Sequence, residues 1–306
     1  MKVFTNILLL LCTLGVYAQQ DPMYTQYVFN MQSVNPAYAG SRNTLTATIL
    51  SRWQWIGIQG APSTQTFTTQ TVIPNSLFGV GLSITKDKIG PLTQTQPYLD
   101  VAYHVPVSDE GKLSFGIKTG LSVYQSRIGE LLANANDPNQ ANVSDNVTSL
   151  SFGAGVYYYQ PKMYIGISIP RLSQSDLSDL TGFETAKQVR HLFVTYGFVF
   201  DASPNVKVKP SVLMKDVKSA PIEFDLTTSV LLYDKFWLGA TYRTGDGMGA
   251  MMQVEVNDKI KIGYAYDYPF SQINQGIENM TQATHELMLG IEFRFKELIY
   301  KTSRYF

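Results

Sequence analysis

His285-Glu286-Leu287-Met288-Leu289-Gly290-Ile291-Glu292-Phe293-Arg294-Phe295 is the stretch whose reading decides the fold. In an extended strand, successive side chains point to opposite sides. Leu287, Leu289, Ile291, Phe293 and Phe295 then share one face, and Glu286, Met288, Gly290, Glu292 and Arg294 share the other. Such a strand could turn its apolar face to a soluble core or outward to lipid. The rest of the chain decides between the two.

The same alternation recurs in fourteen segments, at about 44–58, 63–73, 77–85, 93–105, 112–124, 147–159, 162–169, 189–201, 206–215, 222–233, 235–243, 249–256, 259–267 and 283–295. Bacterial outer-membrane barrels have an even number of strands. In 112–124, Leu113, Phe115, Ile117, Leu121 and Val123 oppose Lys112, Ser114, Gly116, Lys118, Gly120 and Ser122. In 259–267, Ile260, Ile262, Tyr264 and Tyr266 oppose Lys259, Lys261, Gly263, Ala265 and Asp267. Charges thus collect on the Gly-rich face. A Lys or Arg on the lipid face at mid-membrane costs about 2–4 kcal/mol, so the charged face is assigned to the lumen.

Connection lengths support the same architecture. Those at 74–76, 106–111, 160–161, 202–205, 234 and 257–258 are tight. The alternate ones are longer, especially 126–146, 170–188 and 268–282. Barrels have short periplasmic turns and longer external loops, and the parity predicts that both termini are periplasmic. Aromatics at strand ends (Trp53, Trp55, Tyr157 to Tyr159, Phe236, Trp237, Tyr264 and Tyr266) read as interface girdles.

Composition agrees. Charged residues are 16% of the 306, against roughly 25% in an average soluble protein. Aromatics are 12%, formal net charge is zero and mean hydropathy is −0.06. The neutral balance gives no reason to expect a nucleic-acid partner. Residues 1–18 read as a secretory signal, with Lys2, the apolar run Ile7 to Leu11 and the small-residue end Val16-Tyr17-Ala18. The lone cysteine, Cys12, falls within it. No later run of 18 apolar residues could form a transmembrane helix.

Asp21 to Ser41 is not strand-like. Met23, Tyr27, Asn30 and Met31 have helical spacing, and Asn35-Pro36 and Gly40 punctuate the exit. Its apolar Met23, Val28, Phe29 and Met31 need burial, either as a lumen plug or as a periplasmic docking arm. Gln20-Asp21-Pro22 with Tyr24-Thr25-Gln26-Tyr27, then Asn35-Pro36-Ala37-Tyr38-Ala39-Gly40-Ser41, then Arg52-Trp53-Gln54-Trp55 with Gly57 and Gly60-Ala61-Pro62 resemble the PorP/SprF family. These are outer-membrane proteins of the type IX secretion and gliding-motility system of Bacteroidetes-type bacteria. Lys209-Pro210-Ser211, Phe236-Trp237-Leu238-Gly239 and Gly263-Tyr264-Ala265-Tyr266-Asp267 extend the resemblance over the mature chain.

The resemblance implies a non-catalytic barrel that assists export or surface anchoring of an adhesin-type cargo with a type B C-terminal domain. It also implies docking to periplasmic machinery, including a peptidoglycan-binding lipoprotein. Tyr24, Tyr27, Asn35, Pro36, Tyr38, Gly40, Trp53 and Trp55 are the candidate partner-binding residues. A passive outer-membrane channel for small solutes is the alternative.

The residues offer little for chemistry. His104, His191 and His285 lie on different segments without metal-ligand spacing. His191, Ser151 and Asp201 are the nominal candidates for a hydrolytic site. Asp137, Asp145, Asp176 and Asp179 sit in the long loops, where carboxylates can bind calcium or contact a partner, and they are read as solvated loop residues. The reading is therefore no catalytic residue, no metal and no cofactor. The expected organisation is a signal peptide at 1–18, a periplasmic or plug segment at 19–41, a barrel of about fourteen strands at 42–295 and a periplasmic tail at 296–306. Lys112, Lys118, Lys207, Lys209, Lys259 and Lys261 are expected to meet Asp100, Glu223, Asp225, Glu255, Glu286 and Glu292 in the lumen.

Overall fold

Residues 23–127, 146–173, 189–218, 220–270, 283–293 and 305–306 are described in the computed structural model. Fourteen antiparallel strands follow one another around a closed barrel. They are β1 (Leu45–Trp53), β2 (Ser63–Val72), β3 (Phe78–Ile89), β4 (Leu92–Pro106), β5 (Lys112–Ser126), β6 (Asn146–Gln160) and β7 (Met163–Ile169). Next come β8 (His191–Phe198, resuming at Phe200–Ser203), β9 (Val206–Val217), β10 (Glu223–Leu232), β11 (Phe236–Arg243), β12 (Gly247–Glu255), β13 (Ile260–Pro269) and β14 (Thr284–Phe293). The two pieces of β8 share one register against β9 through the pairs Gly197–Ser211 and Phe200–Val208, and the register shifts only between Lys207 and Val206. The break falls beside Pro210, which has no N–H to give to the ladder.

β14 closes the ring. It pairs with β1 along its whole length, from Trp53–His285 to Leu45–Phe293. Phe295 and the rest of 294–304 lie outside the described residues, as do the leader 1–18 and most of the three long loops.

The burial pattern is that of a soluble sheet turned inside out. On β5, Ser114, Lys118 and Ser122 are buried while Phe115, Leu121 and Ile117, 62% exposed, face outward. On β13, Gly263 and Ala265 point inward and Ile262 and Tyr264 outward. Burying Lys118 while exposing Ile117 is favourable only where the outside is hydrocarbon and the inside is polar.

Three sequence-based expectations change. β1 ends at Trp53 rather than near residue 58, because Trp55 (φ 49°), Gly57 (φ 101°) and Gly60 (φ 78°) turn the chain. β3 and β4 run on through the pairs Thr85–Gln96, Lys86–Thr95, Asp87–Gln94 and Lys88–Thr93, leaving only Gly90 and Pro91 between them. Tight turns therefore occur at both ends of the barrel, and short and long connections do not strictly interleave. Polar residues there hide the strand from an apolar count, yet a hairpin needs only backbone pairing.

The third change concerns the aromatics. Tyr157, Tyr159 and Trp237 are buried in the lumen, whereas Trp53, Phe236, Tyr264 and Tyr266 face outward. Adjacent strand residues point to opposite faces, so a consecutive aromatic run cannot lie wholly in a girdle.

Candidate functional site: the filled lumen

The head runs through the barrel as three short 3-10 turns, Thr25–Phe29, Met31–Ser33 and Pro36–Tyr38. Tyr24, Tyr27, Val28, Met31, Val34, Ala37 and Tyr38 are all buried. The described part of this segment, 23–41, thus lies inside the barrel.

Its direction is set by its partners. Near the loop end, Thr25 N–H donates to Glu286 Oε1 (2.7 Å) and Gln26 N–H to Glu286 Oε2 (3.0 Å). The Thr25 hydroxyl donates to Asp267 (2.7 Å), and Tyr24 meets the Thr66 hydroxyl at 2.5 Å. Midway, the Gln32 amide donates to Asp100 Oδ2 (3.0 Å) and the Asn35 amide to the Val156 carbonyl (3.0 Å). Lower down, Ser114 donates to the Ala37 carbonyl (2.7 Å) and His104 Nε2 to the Ala39 carbonyl (2.9 Å). His104 is thereby fixed as the Nε2–H tautomer, leaving Nδ1 to accept from Tyr159 at 3.1 Å. The head thus descends from the loop end to the turn end, and β1 then climbs back. Strand parity cannot detect a segment that crosses the lumen without forming a strand, so its described start does not lie at the turn end as parity suggested.

The motif residues have clear local jobs. The Asn35 side chain accepts from Ala37 N–H, capping a turn that begins with Pro36. Tyr38 packs edge-on against Tyr157, with ring centroids 5.5 Å apart. Gly40 takes φ 81°, a left-handed conformation that suits glycine, and its amide donates to Gln70 at 2.8 Å. A Cβ on Gly79 would collide with the Ala39 carbonyl, so head and wall meet backbone to backbone. Trp53 and Trp55 stand apart from this set, at the loop end of β1 and in the turn after it.

The wall carries paired charges. Arg52 binds both Glu286 and Asp267, the latter at 2.8 Å. Arg243 grips Asp225 through two contacts of 2.9 and 3.0 Å. Lys118 meets Asp100 at 3.2 Å, and Lys261 meets Glu292 at 3.1 Å, which also binds Arg42 at 3.0 Å. The expected lysine–carboxylate network is present for Lys118 and Lys261. Arginines take Asp225 and Glu286, a role that composition could not assign. Lys207 pairs with Asp234 in the turn at 2.6 Å, and Glu223 pairs with Lys215 at 2.7 Å.

Between head and wall little space is left. Gaps of about 40, 50 and 70 Å³ remain, each enough for a few waters. The larger cavity, about 890 Å³, opens at the turn end and is lined by Val72, Leu77, His104, Glu110 and Lys112. The described part of the C-terminal segment also lies inside: Phe306 is buried, and Tyr305 packs beside it.

No chemistry-bearing constellation forms among the described residues. His191 and Asp201 lie at opposite ends of β8, Ser151 meets the Tyr98 hydroxyl at 3.2 Å and Asp201 pairs with Lys162 at 2.5 Å. His285 faces outward against Tyr264. Among the described residues, no three His, Cys, Asp or Glu come together as a metal site would require. Asp137, Asp145, Asp176 and Asp179 lie outside the described residues.

Comparison with known proteins adds a family and several barrels. The profile of the type IX secretion system membrane protein PorP/SprF family matches residues 16–291. No curated protein matches the chain. Among solved structures, the Pseudomonas putida toluene transporter TodX is similar at 9% identity, covering 92% of this chain and 96% of that one, with TM-score 0.49. The Ralstonia pickettii toluene transporter TbuX is similar at 10% identity, 86% and 93% coverage and TM-score 0.48. The Acinetobacter baumannii outer membrane protein Omp33 is similar at 9% identity, 83% and 100% coverage and TM-score 0.46.

Proposed function

This chain belongs to the PorP/SprF family of type IX secretion system membrane proteins, and on that footing we propose that it is a non-catalytic outer-membrane component that assists export or surface anchoring of an adhesin-type cargo. The cargo carries a type B C-terminal domain. On its other side the barrel docks to periplasmic machinery, including a peptidoglycan-binding lipoprotein, and the system serves gliding motility in a Bacteroidetes-type bacterium.

The filled lumen is the observation that supports this reading. Among the described residues, the head held from Glu286 down to Ala39, with Tyr305 and Phe306 beside it, occupies much of the bore, next to gaps of about 40, 50 and 70 Å³. A solute conduit needs open space, whereas a platform for other proteins needs stiffness. The passive-channel alternative is disfavoured for that reason.

In the orientation we propose, the turn end faces the periplasm and the loop end faces outward. The connections 126–146, 170–188 and 268–282 would then meet cargo, and the tight turns with their open cavity would meet the machinery. Tyr24, Tyr27, Asn35, Pro36, Tyr38 and Gly40 serve partners indirectly, by fixing the plug. Trp53 and Trp55 are placed to touch a partner or the lipid surface directly.

Exchange of the three long connections with those of a paralogue, followed by cargo secretion and co-purification in mild detergent, tests the reading. Cargo preference should follow the loops while the periplasmic partner stays bound. Unchanged secretion after deletion of the gene would overturn it.

A further inference from the structure

Lys209 is a fully buried cation on β9. Among the described residues no carboxylate lies within ion-pair distance of it, unlike the ion pairs of Lys118, Lys215 and Lys261. Its ammonium donates instead to the Val28 carbonyl (3.4 Å) and the Tyr305 carbonyl (3.2 Å). It lies 5.1 Å from the centroid of the Phe29 ring, 4.9 Å from Trp237 and 6.0 Å from Phe306. Desolvating a cation is costly unless polar or aromatic groups replace its water. Here two of the replacing groups belong to Tyr305 and Phe306.

Those residues are seated as a ligand would be. Phe306 is 5% exposed and meets Tyr164 edge-on at 4.7 Å. The Tyr305 ring lies 5.7 Å from the Lys207 ammonium. The seat is formed by β7, β9 and β11 together with Phe29 of the head. Phe306 and Tyr305 also border the gap of about 40 Å³ that runs beside Arg42, Lys261 and Glu292. The head alone therefore does not fill the bore. Two aromatic rings close the remaining side, from the end at which β14 finishes.

We propose that the Lys209 cage is a binding site for an aromatic Tyr-Phe peptide segment, occupied here by the chain's own Tyr305–Phe306, and that its occupancy seals this side of the lumen. The seat lies toward the turn end, so a peptide carrying Tyr-Phe can reach it from that side and compete with Tyr305–Phe306.

The test uses the purified barrel in planar bilayers. The full chain should be electrically silent. The chain lacking Tyr305 and Phe306, and separately the Phe306→Ala variant, should show discrete conductance steps. A synthetic peptide of residues 297–306, added on the turn side, should close them and change the emission of Trp237. Lys209→Met should weaken that closure by about tenfold, the worth of one charge-assisted contact. Silence of both folded variants, or a peptide that neither closes the barrel nor changes Trp237 emission, would overturn the proposal. The readout involves no cargo, so its failure would leave the secretory role standing.

Discussion

Glu286 stands directly opposite Arg52 across the β14–β1 seam, and the same carboxylate accepts the backbone N–H groups of Thr25 and Gln26. One buried side chain thus ties the closing strand, the first strand and the plug together. Removing one partner of such a pair leaves an uncompensated charge inside the protein. Glu286→Ala should destabilise the barrel by about 3–5 kcal/mol, with Glu286→Gln milder. Denaturant unfolding followed by heat-modifiable gel mobility checks this. A change below about 1 kcal/mol would show that Arg52 finds another partner at no cost.

Gly79 and Ala39 bring wall and head into backbone contact. Gly79→Ala should push the head off the wall at a cost of about 1–3 kcal/mol, because the added methyl meets a carbonyl rather than a flexible side chain. Limited proteolysis should cut within 30–43 in the variant and not in the parent. Gly290→Ala is the control, since its nearest neighbour would be an ordinary contact of 3.6 Å.

Ile117 projects outward from the middle of β5. Ile117→Lys should cost about 2–4 kcal/mol in lipid vesicles. Val107 is also exposed, but it lies in the turn between β4 and β5. Val107→Lys should stay within about 0.5 kcal/mol. Equal effects at the two sites would contradict the placement of Ile117 against hydrocarbon.

Burial pushes the phenols of Tyr24 and Tyr27 well above their ordinary value. A group held protonated by docking contributes fully below its undocked pKa, about 10 for Tyr, and loses that contribution as pH rises through the docked one. The head should therefore loosen progressively above about pH 10. Protease sensitivity against pH measures this. In a Tyr24→Phe, Tyr27→Phe double variant the alkaline loss should be shallower, because Phe carries no phenol to ionise.

Orientation is checked with single cysteines. Gln59 lies in the turn after β1 and Ser203 at the far end of β8. Gln59→Cys should react with an impermeant maleimide on intact cells, and Ser203→Cys only after permeabilisation. The reverse pattern would invert the barrel.

Much of the barrel was legible because lipid imposes a strict period of two. Every expected strand exists, and the named side chains of β5 and β13 face the predicted way, but Lys259, just before β13, was expected in the lumen and is instead exposed, 6.0 Å from the outward-facing Phe293 ring. Strand ends were less legible. Lys86 to Gln96 extend a hairpin without apolar alternation, so periodicity could not see them. The head's need for burial was readable from Val28, Phe29 and Met31, but its path was not. That path depends on Asn35, Gln32 and Thr25 reaching groups 68 to 261 positions away. The Lys209 seat left no local trace either.

The head enters the chain before any strand, and Glu286 belongs to the last one. The final strand grips the stopper and the first strand through the same side chain. An empty ring would leave Glu286 without the N–H groups of Thr25 and Gln26, so the fit of the stopper and the closure of the ring are coupled through a single carboxylate.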